Sequence, residues 1–249
     1  MFEYQTLFDA RGALYNRANR LYPEARAQEA AAMLRHLGLS PRSRWLDVFS
    51  GGGYLSERAA SQGLPPARFS CDGSLQFLHF SEHGRSSCVA SAGALPFPDG
   101  RFDAVACLAA LHHAEDPRAV CRELLRVATP GGHAALGDVA EGSRASRFLN
   151  GFVDGQTEAG HRGRFYGLET LAGFFEAAGG ETIHSERAEL VWVLPSAADA
   201  VLFCRDLFGL VPSTCDGEIE AALAELGAPP AQAPFRIPWT MHYVSAARP

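Results

Sequence analysis

Three consecutive glycines follow an apolar segment in the stretch RWLDVFSGGGYLSERAA, residues 44–60. Glycine has no Cβ atom, so the backbone at Gly51 and Gly53 can pass close to a ligand. A helix predicted from Tyr54 to Ser61 follows at once and presents free N–H groups in its first turn. The turn therefore predicts a binding site for a nucleotide or a carboxylate.

An acidic residue, Asp72, ends the next predicted strand at residues 67–72. A carboxylate at this place can accept hydrogen bonds from both ribose hydroxyls of an adenosine. The alternative is a local role, in which Asp72 caps the helix that follows in D-G-S-L. A dinucleotide fingerprint would need a third glycine where Ser56 stands, so a nicotinamide-dependent oxidoreductase is the less favoured hypothesis.

Three histidines are candidates for catalysis by proton transfer. His112 and His113 close the predicted fourth strand, RFDAVACLAALHH, and His161 lies in the loop GHRGRFY. A neutral imidazole can take a proton from a hydroxyl or phenol near neutral pH. The alternative for the adjacent pair is that one ring hydrogen-bonds locally while the other packs. The spacing predicts no metal site, because adjacent residues on a strand point to opposite faces.

The same loop supplies two candidates for substrate binding, Arg162 and Tyr166. An arginine there can pair with an acidic group of a substrate. The alternative is an ordinary solvated loop. Large aromatic residues are concentrated in the second half of the chain and predict a core for a cap, an aromatic acceptor pocket, or both. They are Phe148, Phe152, Phe165, Tyr166, Trp192, Phe203, Phe208 and Trp239.

The elements that would position these residues alternate between apolar strands and helices, which predicts an α/β protein with a parallel sheet covered on both faces. Ligands in such sheets bind beyond the carboxyl ends of the strands. Four segments are expected: a helical cap at 1–40, a ligand-binding core at 41–140, lid and substrate-side segments at 141–235, and a closing strand at 236–249. They form a single domain of 249 residues.

Composition excludes several classes of partner. The net charge is −6 and no run of basic residues occurs, so nucleic acid is not expected as a partner. No stretch reaches the ~18 apolar residues that span a bilayer, and the acidic N-terminal segment does not resemble a signal peptide. The six cysteines form no CxxC pair, which favours reduced thiols in a cytoplasmic protein.

Several motifs together resemble one family. LDVFSGGG, Asp72, ALPFPDGRFDAVACLAALHH and RELLRVATPGG stand in the order found in class I S-adenosylmethionine-dependent methyltransferases. The small-molecule group around the ubiquinone/menaquinone and BioC-type enzymes is the most similar. The resemblance covers about residues 12–140 and returns in the last strand. It implies a Rossmann-like, doubly wound, seven-stranded and mostly parallel sheet. It also implies methyl transfer by in-line displacement from S-adenosyl-L-methionine to a small biosynthetic intermediate, expected at oxygen.

The resemblance also implies which residues would hold the cofactor. Asp47, Gly51 and Gly53 would shape the turn around the methionine part and the ribose, and Asp72 would hold the ribose hydroxyls. The remaining residues of this implied set would lie beside the ribose, the adenine and the sulfonium, and they are Gly73, Ser91, Ala92 and Leu108.

Two residues depart from the family pattern. Phe49 stands where the family usually has a glycine, and we expect its ring to pack beside the cofactor. Ser91 stands where the family usually has an acid for the adenine amino group. A catalytically silent methyltransferase-like protein, binding a metabolite or a partner enzyme, is therefore the alternative. An acceptor bound to a carrier protein and the oligomeric state both stay open.

Overall fold

The computed structural model describes residues 2–78, 86–161, 163–228 and 233–249, with side chains from residue 11 onward. One mixed sheet runs through the described part of the chain, in the strand order β3-β2-β1-β4-β5-β7-β6. Its strands are β1 (Trp45–Val48), β2 (Phe69–Asp72), β3 (Ser86–Val89), β4 (Phe102–Leu108), β5 (Ala128–Val139), β6 (Glu181–Leu194) and β7 (Phe235–Ala247). The first five are parallel, and β7 runs antiparallel between β5 and β6. The prediction of a seven-stranded, mostly parallel sheet is confirmed.

The helices cover both faces of this sheet. Within the described residues they are α1 (Phe2–Leu21), α2 (Ala27–Leu37), α3 (Tyr54–Ser61), α4 (Leu75–Leu78), α5 (Pro117–Val127), α6 (Arg144–Phe148), α7 (Leu168–Ala177), α8 (Ala197–Phe208) and α9 (Asp216–Leu226). A 3₁₀ turn at Leu111–His113 follows β4, and a π-helical turn at Leu149–Val153 continues α6. None of these helices combines the length and apolar character needed to cross a bilayer.

Side chains alternate between two hydrophobic clusters along the central strands. On β4, Ala104 and Ala106 belong to one cluster, whereas Val105 and Cys107 belong to the other. Successive side chains of a strand point to opposite faces, so the two clusters lie on opposite sides of the sheet. Helices α1, α2, α8 and α9 cover the first side, and α5 and α7 cover the second. Burial on both faces explains why these strands are apolar without alternation.

The strand order reverses between β1 and β4, which are neighbours although β2 and β3 lie between them in sequence. Val48 of β1 pairs with Cys107 of β4, so both strands end at the same level of the sheet. Ligands of open α/β sheets bind in the crevice at such a switch point. The two turns that follow these strands are therefore the place to look for a site.

The structure corrects one placement in the sequence analysis. The prediction that His112 and His113 lie on a strand with opposed side chains is wrong, because β4 ends at Leu108 and the two residues belong to the 3₁₀ turn. Their ring centroids lie 4.0 Å apart. The predicted helix after Asp72 is described only as α4, and its expected continuation lies outside the described residues.

Candidate functional site

The glycine turn between β1 and α3 adopts the left-handed backbone that its sequence predicts. Gly51 has φ +54° and Gly53, the N-cap of α3, has φ +90°. The Gly53 N–H donates to the Ser50 carbonyl at 2.9 Å, which closes the turn. The Ser50 hydroxyl is buried and has no hydrogen-bond partner within the described part of the chain. An unsatisfied buried hydroxyl is unusual and indicates that this turn offers a polar group to a ligand.

Asp72 holds the glycine turn against the end of β2. It is buried, with 1% of its surface exposed. Its Oδ2 accepts the Gly51 N–H at 2.9 Å, and its Oδ1 accepts the Ser74 N–H at 2.9 Å. The local capping role and a ribose-binding role are compatible, because each carboxylate oxygen can accept more than one hydrogen bond. The carboxylate thus joins the ends of the neighbouring strands β1 and β2, beside the switch point.

Helix α1 lies over the same turn, which sequence analysis did not anticipate. The Tyr15 ring meets the Phe77 ring edge-on, with centroids 5.2 Å apart, and a Cβ added to Gly51 would lie 3.5 Å from Tyr15. The Asn16 amide donates to the Phe77 carbonyl at 3.4 Å, and a Cβ at Gly52 would lie 2.2 Å from the Asn16 Oδ1. Gly52, the middle glycine of the turn, is therefore needed for the contact with α1.

Two non-glycine residues have positive φ among the residues that the structure describes, and both follow a central strand. Phe49 after β1 has φ +56°, and Ala109 after β4 has φ +53°. The left-handed region costs a residue with a Cβ about 1–2 kcal/mol. Such strain is typically concentrated at functional sites. Phe49 accordingly occupies a backbone position that favours glycine, and its ring packs on the cluster of the second face.

The remaining residues of the implied cofactor set lie at the ends of neighbouring strands. Asp47 is buried within β1, and Gly73 follows β2 directly. Ser91 and Ala92 follow β3, where the Ser91 hydroxyl accepts the Gly93 N–H at 3.3 Å. Leu108 ends β4. All of them lie at the carboxyl edge, but their contact with a cofactor stays a prediction.

A cluster of three imidazoles stands beyond the end of β4. The ring centroids of His112 and His161 are 5.3 Å apart, and those of His113 and His161 are 5.1 Å apart. The Phe165 ring lies 4.9 Å from His112. The structure therefore brings together all three histidines that sequence analysis singled out.

Asp138 at the end of β5 fixes His112. Its Oδ1 lies 2.7 Å from the His112 Nδ1, and its Oδ2 accepts the His112 backbone N–H at 2.8 Å. Oδ1 also accepts the Val139 N–H at 2.7 Å. A carboxylate surrounded by donors acts as an acceptor, so the His112 Nδ1 carries the proton and the lone pair stands on Nε2. Asp138 is not among the candidate residues that the sequence analysis singles out.

The loop that carries His161 is fixed by two polar side chains. Asn150, in the π-helical turn, pairs with both backbone groups of Gly163 at 2.8 and 3.0 Å. Asp154 accepts the His161 N–H at 2.6 Å. A Cβ added to Gly163 would lie 2.8 Å from the His112 ring. The glycine thus lets the loop lie against the imidazoles.

Burial keeps two of the imidazoles neutral. It lowers the pKa of His161 to about 3, with a further contribution from the nearby His112. It also lowers the pKa of His113 well below its usual range, helped by His112 and His161. The guanidinium of Arg11, whose Nη2 donates to the Gly160 carbonyl at 3.3 Å, acts in the same direction. Helix α1 thus reaches both the glycine turn and the imidazoles.

The two predicted substrate residues have different outcomes. Arg162 lies outside the described residues. Tyr166 is buried with its ring against Phe174, at a centroid distance of 5.2 Å, and it belongs to a different hydrophobic cluster from Phe165. Its role in substrate binding stays a prediction.

Most of the aromatic residues of the second half form core rather than an open pocket. The rings of Trp192 and Trp239 stack at 3.9 Å, and Phe208 and Phe148 pack against this pair. All four are buried. Phe165 differs, because it faces the imidazoles.

Comparisons with known proteins agree with this geometry. A family described as a methyltransferase domain matches residues 46–136. A demethylmenaquinone methyltransferase of Corynebacterium urealyticum is 33% identical over 139 residues, which cover 55% of this chain and 59% of that protein. A ubiquinone biosynthesis O-methyltransferase of Idiomarina loihiensis is 36% identical over 93 residues, covering 35% and 38% of the two chains. Each of these matches spans less than two thirds of the relative's own length.

Solved structures share the fold over nearly the whole chain. A phosphoethanolamine N-methyltransferase 2 of Haemonchus contortus, in complex with S-adenosyl-L-methionine, superposes with a TM-score of 0.67 at 15% identity. The match covers 99% of this chain and 60% of that one. At this identity the likeness concerns the fold alone. Residues 46–136 thus match a methyltransferase domain, and the described chain has the fold of S-adenosylmethionine-dependent methyltransferases.

Proposed function

We propose that the protein transfers a methyl group from S-adenosyl-L-methionine to a hydroxyl of a small, largely apolar acceptor. The observation that carries the proposal is the juxtaposition at one sheet edge of a glycine turn tied to a buried acid and an imidazole oriented by a second acid. The first pair suits the cofactor, and the second suits an acceptor that arrives protonated.

The residues around the glycine turn fit the cofactor. Gly51 and Gly53 have no Cβ atom and let a ligand approach the backbone. The Ser50 hydroxyl has no hydrogen-bond partner within the described residues and can serve a ligand. Asp72 can accept ribose hydroxyls while it retains its backbone hydrogen bonds. Tyr15 closes the turn from the side of α1, and its own hydroxyl accepts a hydrogen bond from Arg26 at 2.8 Å. Bound S-adenosylmethionine supplies an electrophilic methyl group on a sulfonium.

His112 accepts the acceptor's proton on Nε2. Asp138 holds the proton on Nδ1 and stabilises the imidazolium that then forms. Phe165, a residue that is 9% exposed, and His161, which is 7% exposed, pack their rings near that of His112 and shield this side of it from water. Water exclusion strengthens the interaction between the imidazolium and Asp138.

The relatives support the class of acceptor. One relative is named as a demethylmenaquinone methyltransferase and the other as a ubiquinone biosynthesis O-methyltransferase, so both names refer to quinones. A ring-lined site suits an aromatic acceptor of this kind. An acceptor presented by a carrier protein stays a prediction.

The test is methyl transfer to a panel of small phenols and hydroquinones, followed by mass spectrometry of the product. We compare wild type with His112→Gln and Asp138→Asn, using His133→Gln as the matched control. His133 lies on the same strand as Asp138 but at the other end of the segment that pairs with β7, away from the carboxyl edge. We expect His112→Gln to lower kcat about 10²–10⁴-fold, with cofactor affinity nearly unchanged.

Two results would contradict the proposal. Equal turnover by wild type and His112→Gln would show that His112 is not the general base. Tight cofactor binding without methyl transfer to any hydroxyl acceptor would contradict the hypothesis of O-methylation and favour the catalytically silent alternative.

A further inference from the structure

We propose that His112, His113 and His161 form a binding site for a divalent transition-metal ion of the zinc class. This inference goes beyond the proposed function, because the site would bind its ion whether or not the protein transfers methyl groups. It rests on the arrangement of the three rings and of the groups behind them.

The three rings are close enough to share one ion. One nitrogen from each residue lies within 4.8 Å of the other two. Tetrahedral zinc with nitrogen ligands at 2.0–2.1 Å needs its ligand atoms about 3.3 Å apart. Small shifts of the three rings would close this difference.

The residue behind His112 suits a metal ligand. Metal-bound histidines usually donate their second ring N–H to a carboxylate or a carbonyl, which fixes the tautomer and the ring orientation. Asp138 makes this contact with His112 at 2.7 Å. It therefore leaves Nε2 as the ligand atom and places a negative charge directly behind the ring.

His161 supplies a second, independent observation. Its side chain is buried, and its Nδ1 has no hydrogen-bond partner within the described residues. Buried ring nitrogens normally have a partner, so this atom is available to a ligand. The backbone N–H of His161 is held by Asp154, which adds a second carboxylate to the surroundings.

The donor set selects the class of ion. Three imidazoles suit zinc, copper, nickel or cobalt, whereas magnesium and calcium prefer carboxylate and carbonyl oxygens. The Arg11 guanidinium near the loop opposes any cation, and Asp138 and Asp154 offset it. Three protein ligands would leave a fourth position open to water or to an acceptor oxygen.

The site also has a consequence for the proposed reaction. The ion and the acceptor's proton would compete for the same lone pair on the His112 Nε2. A metal-loaded chain would therefore lack His112 as a free base.

The test measures metal binding alone, without cofactor or acceptor. We would treat the protein with a chelator, remove the chelator, and titrate Zn²⁺ in competition with a chromophoric chelator. Variants are His161→Ala and Asp138→Asn. The controls are His184→Ala and Cys215→Ser, since His184 belongs to a second group with His36 and Glu186, and Cys215 is an exposed thiol.

We expect one ion per chain, a loss of affinity of about tenfold to 100-fold in Asp138→Asn, and at least as great a loss in His161→Ala. The two control variants should bind as wild type does. No binding by wild type, or binding that His184→Ala or Cys215→Ser removes, would overturn the proposal. Because a variant could fail to fold, NMR of the wild type with Ni²⁺ adds a second readout: broadening of the signals of these three rings is expected, and broadening at other histidines would contradict the site.

Discussion

The glycine turn and the imidazole cluster lie at the same sheet edge but are built in different ways. The turn comes from one continuous segment, 47–53, and needs one partner, Asp72, from the next strand. The cluster joins the 3₁₀ turn after β4 to a loop about fifty residues later, and Asn150 and Asp154 fix that loop. The family match ends at residue 136, before this loop begins.

Under the proposed function, the glycine turn would serve cofactor binding, which many proteins share, and the imidazole cluster would serve recognition of one acceptor. A local turn specifies a cofactor site with few residues, so it can recur in many proteins. Acceptor recognition depends on long-range contacts that each sequence makes for itself. Helix α1 connects the two regions, because Arg11 contacts the loop while Tyr15 and Asn16 contact the turn. Variants confined to one region should therefore separate cofactor binding from turnover.

Among variants that change only the glycine turn, we expect the largest effect from Gly51→Ala. A Cβ at φ +54° costs about 1–2 kcal/mol and would also lie 3.5 Å from Tyr15. Relief of this strain would move the Gly51 N–H away from Asp72, so affinity for S-adenosylmethionine should fall about tenfold or more. Calorimetric titration of the variant with S-adenosylmethionine measures this affinity.

The matched control is Gly173→Ala in α7, where a Cβ meets no atom within 4 Å. We expect unchanged cofactor affinity and a stability gain of up to about 1 kcal/mol, because alanine favours a helix. Equal losses in both variants would mean that the turn has no special role.

Gly163→Ala changes the imidazole cluster and leaves the glycine turn unchanged. Its Cβ would lie 2.8 Å from the His112 ring and 3.0 Å from Phe165, so the imidazoles must shift. Because misplacement by about 1 Å can cost 100-fold in rate, we expect kcat to fall about tenfold or more while cofactor affinity stays the same. Steady-state kinetics and titration would show this. Gly155→Ala, where a Cβ meets open space, should retain both values. A parallel loss of cofactor affinity in Gly163→Ala would show that the regions are not separable.

A smaller effect is expected from Phe49→Gly. The change relieves a left-handed phenylalanine but removes a half-buried ring, and the two contributions of about 1–2 kcal/mol oppose each other. The free energy of unfolding in urea should change by less than about 1 kcal/mol, and cofactor affinity should stay within about threefold. The sequence analysis expects the ring beside the cofactor, whereas the structure packs it on the hydrophobic cluster of the second face. A loss of affinity well beyond threefold would support the placement beside the cofactor.

The sequence was informative where chemistry is local. The apolar strands, the glycine turn and Asp72 were predicted at their positions, because each depends on neighbours in the chain. The fold class and the seven strands followed from the alternation of elements and from the family resemblance.

Contacts between residues that are far apart in the sequence could not be predicted from local patterns. His112 and His113 were placed on a strand, since nothing local marks the end of β4 at Leu108. The contact of Asp138 with His112 needs the register of β4 and β5, and the burial of Asn16 against Gly52 needs the position of α1. A positive φ at Ala109 has no signal in its residue type. These contacts become visible only when the sheet is assembled.

The most direct test of the account is a calorimetric titration with S-adenosylmethionine and S-adenosylhomocysteine. The variants are Asp72→Ala and Asp72→Asn, and the control is Asp103→Ala, an exposed acid of the same sheet that pairs with Arg44. We predict micromolar binding by wild type and by Asp103→Ala, with both Asp72 variants weakened at least about 100-fold through the loss of charge-assisted hydrogen bonds. Thermal unfolding would confirm that the variants fold. No binding by wild type at millimolar ligand, or undiminished binding by the Asp72 variants, would contradict a cofactor site at this turn.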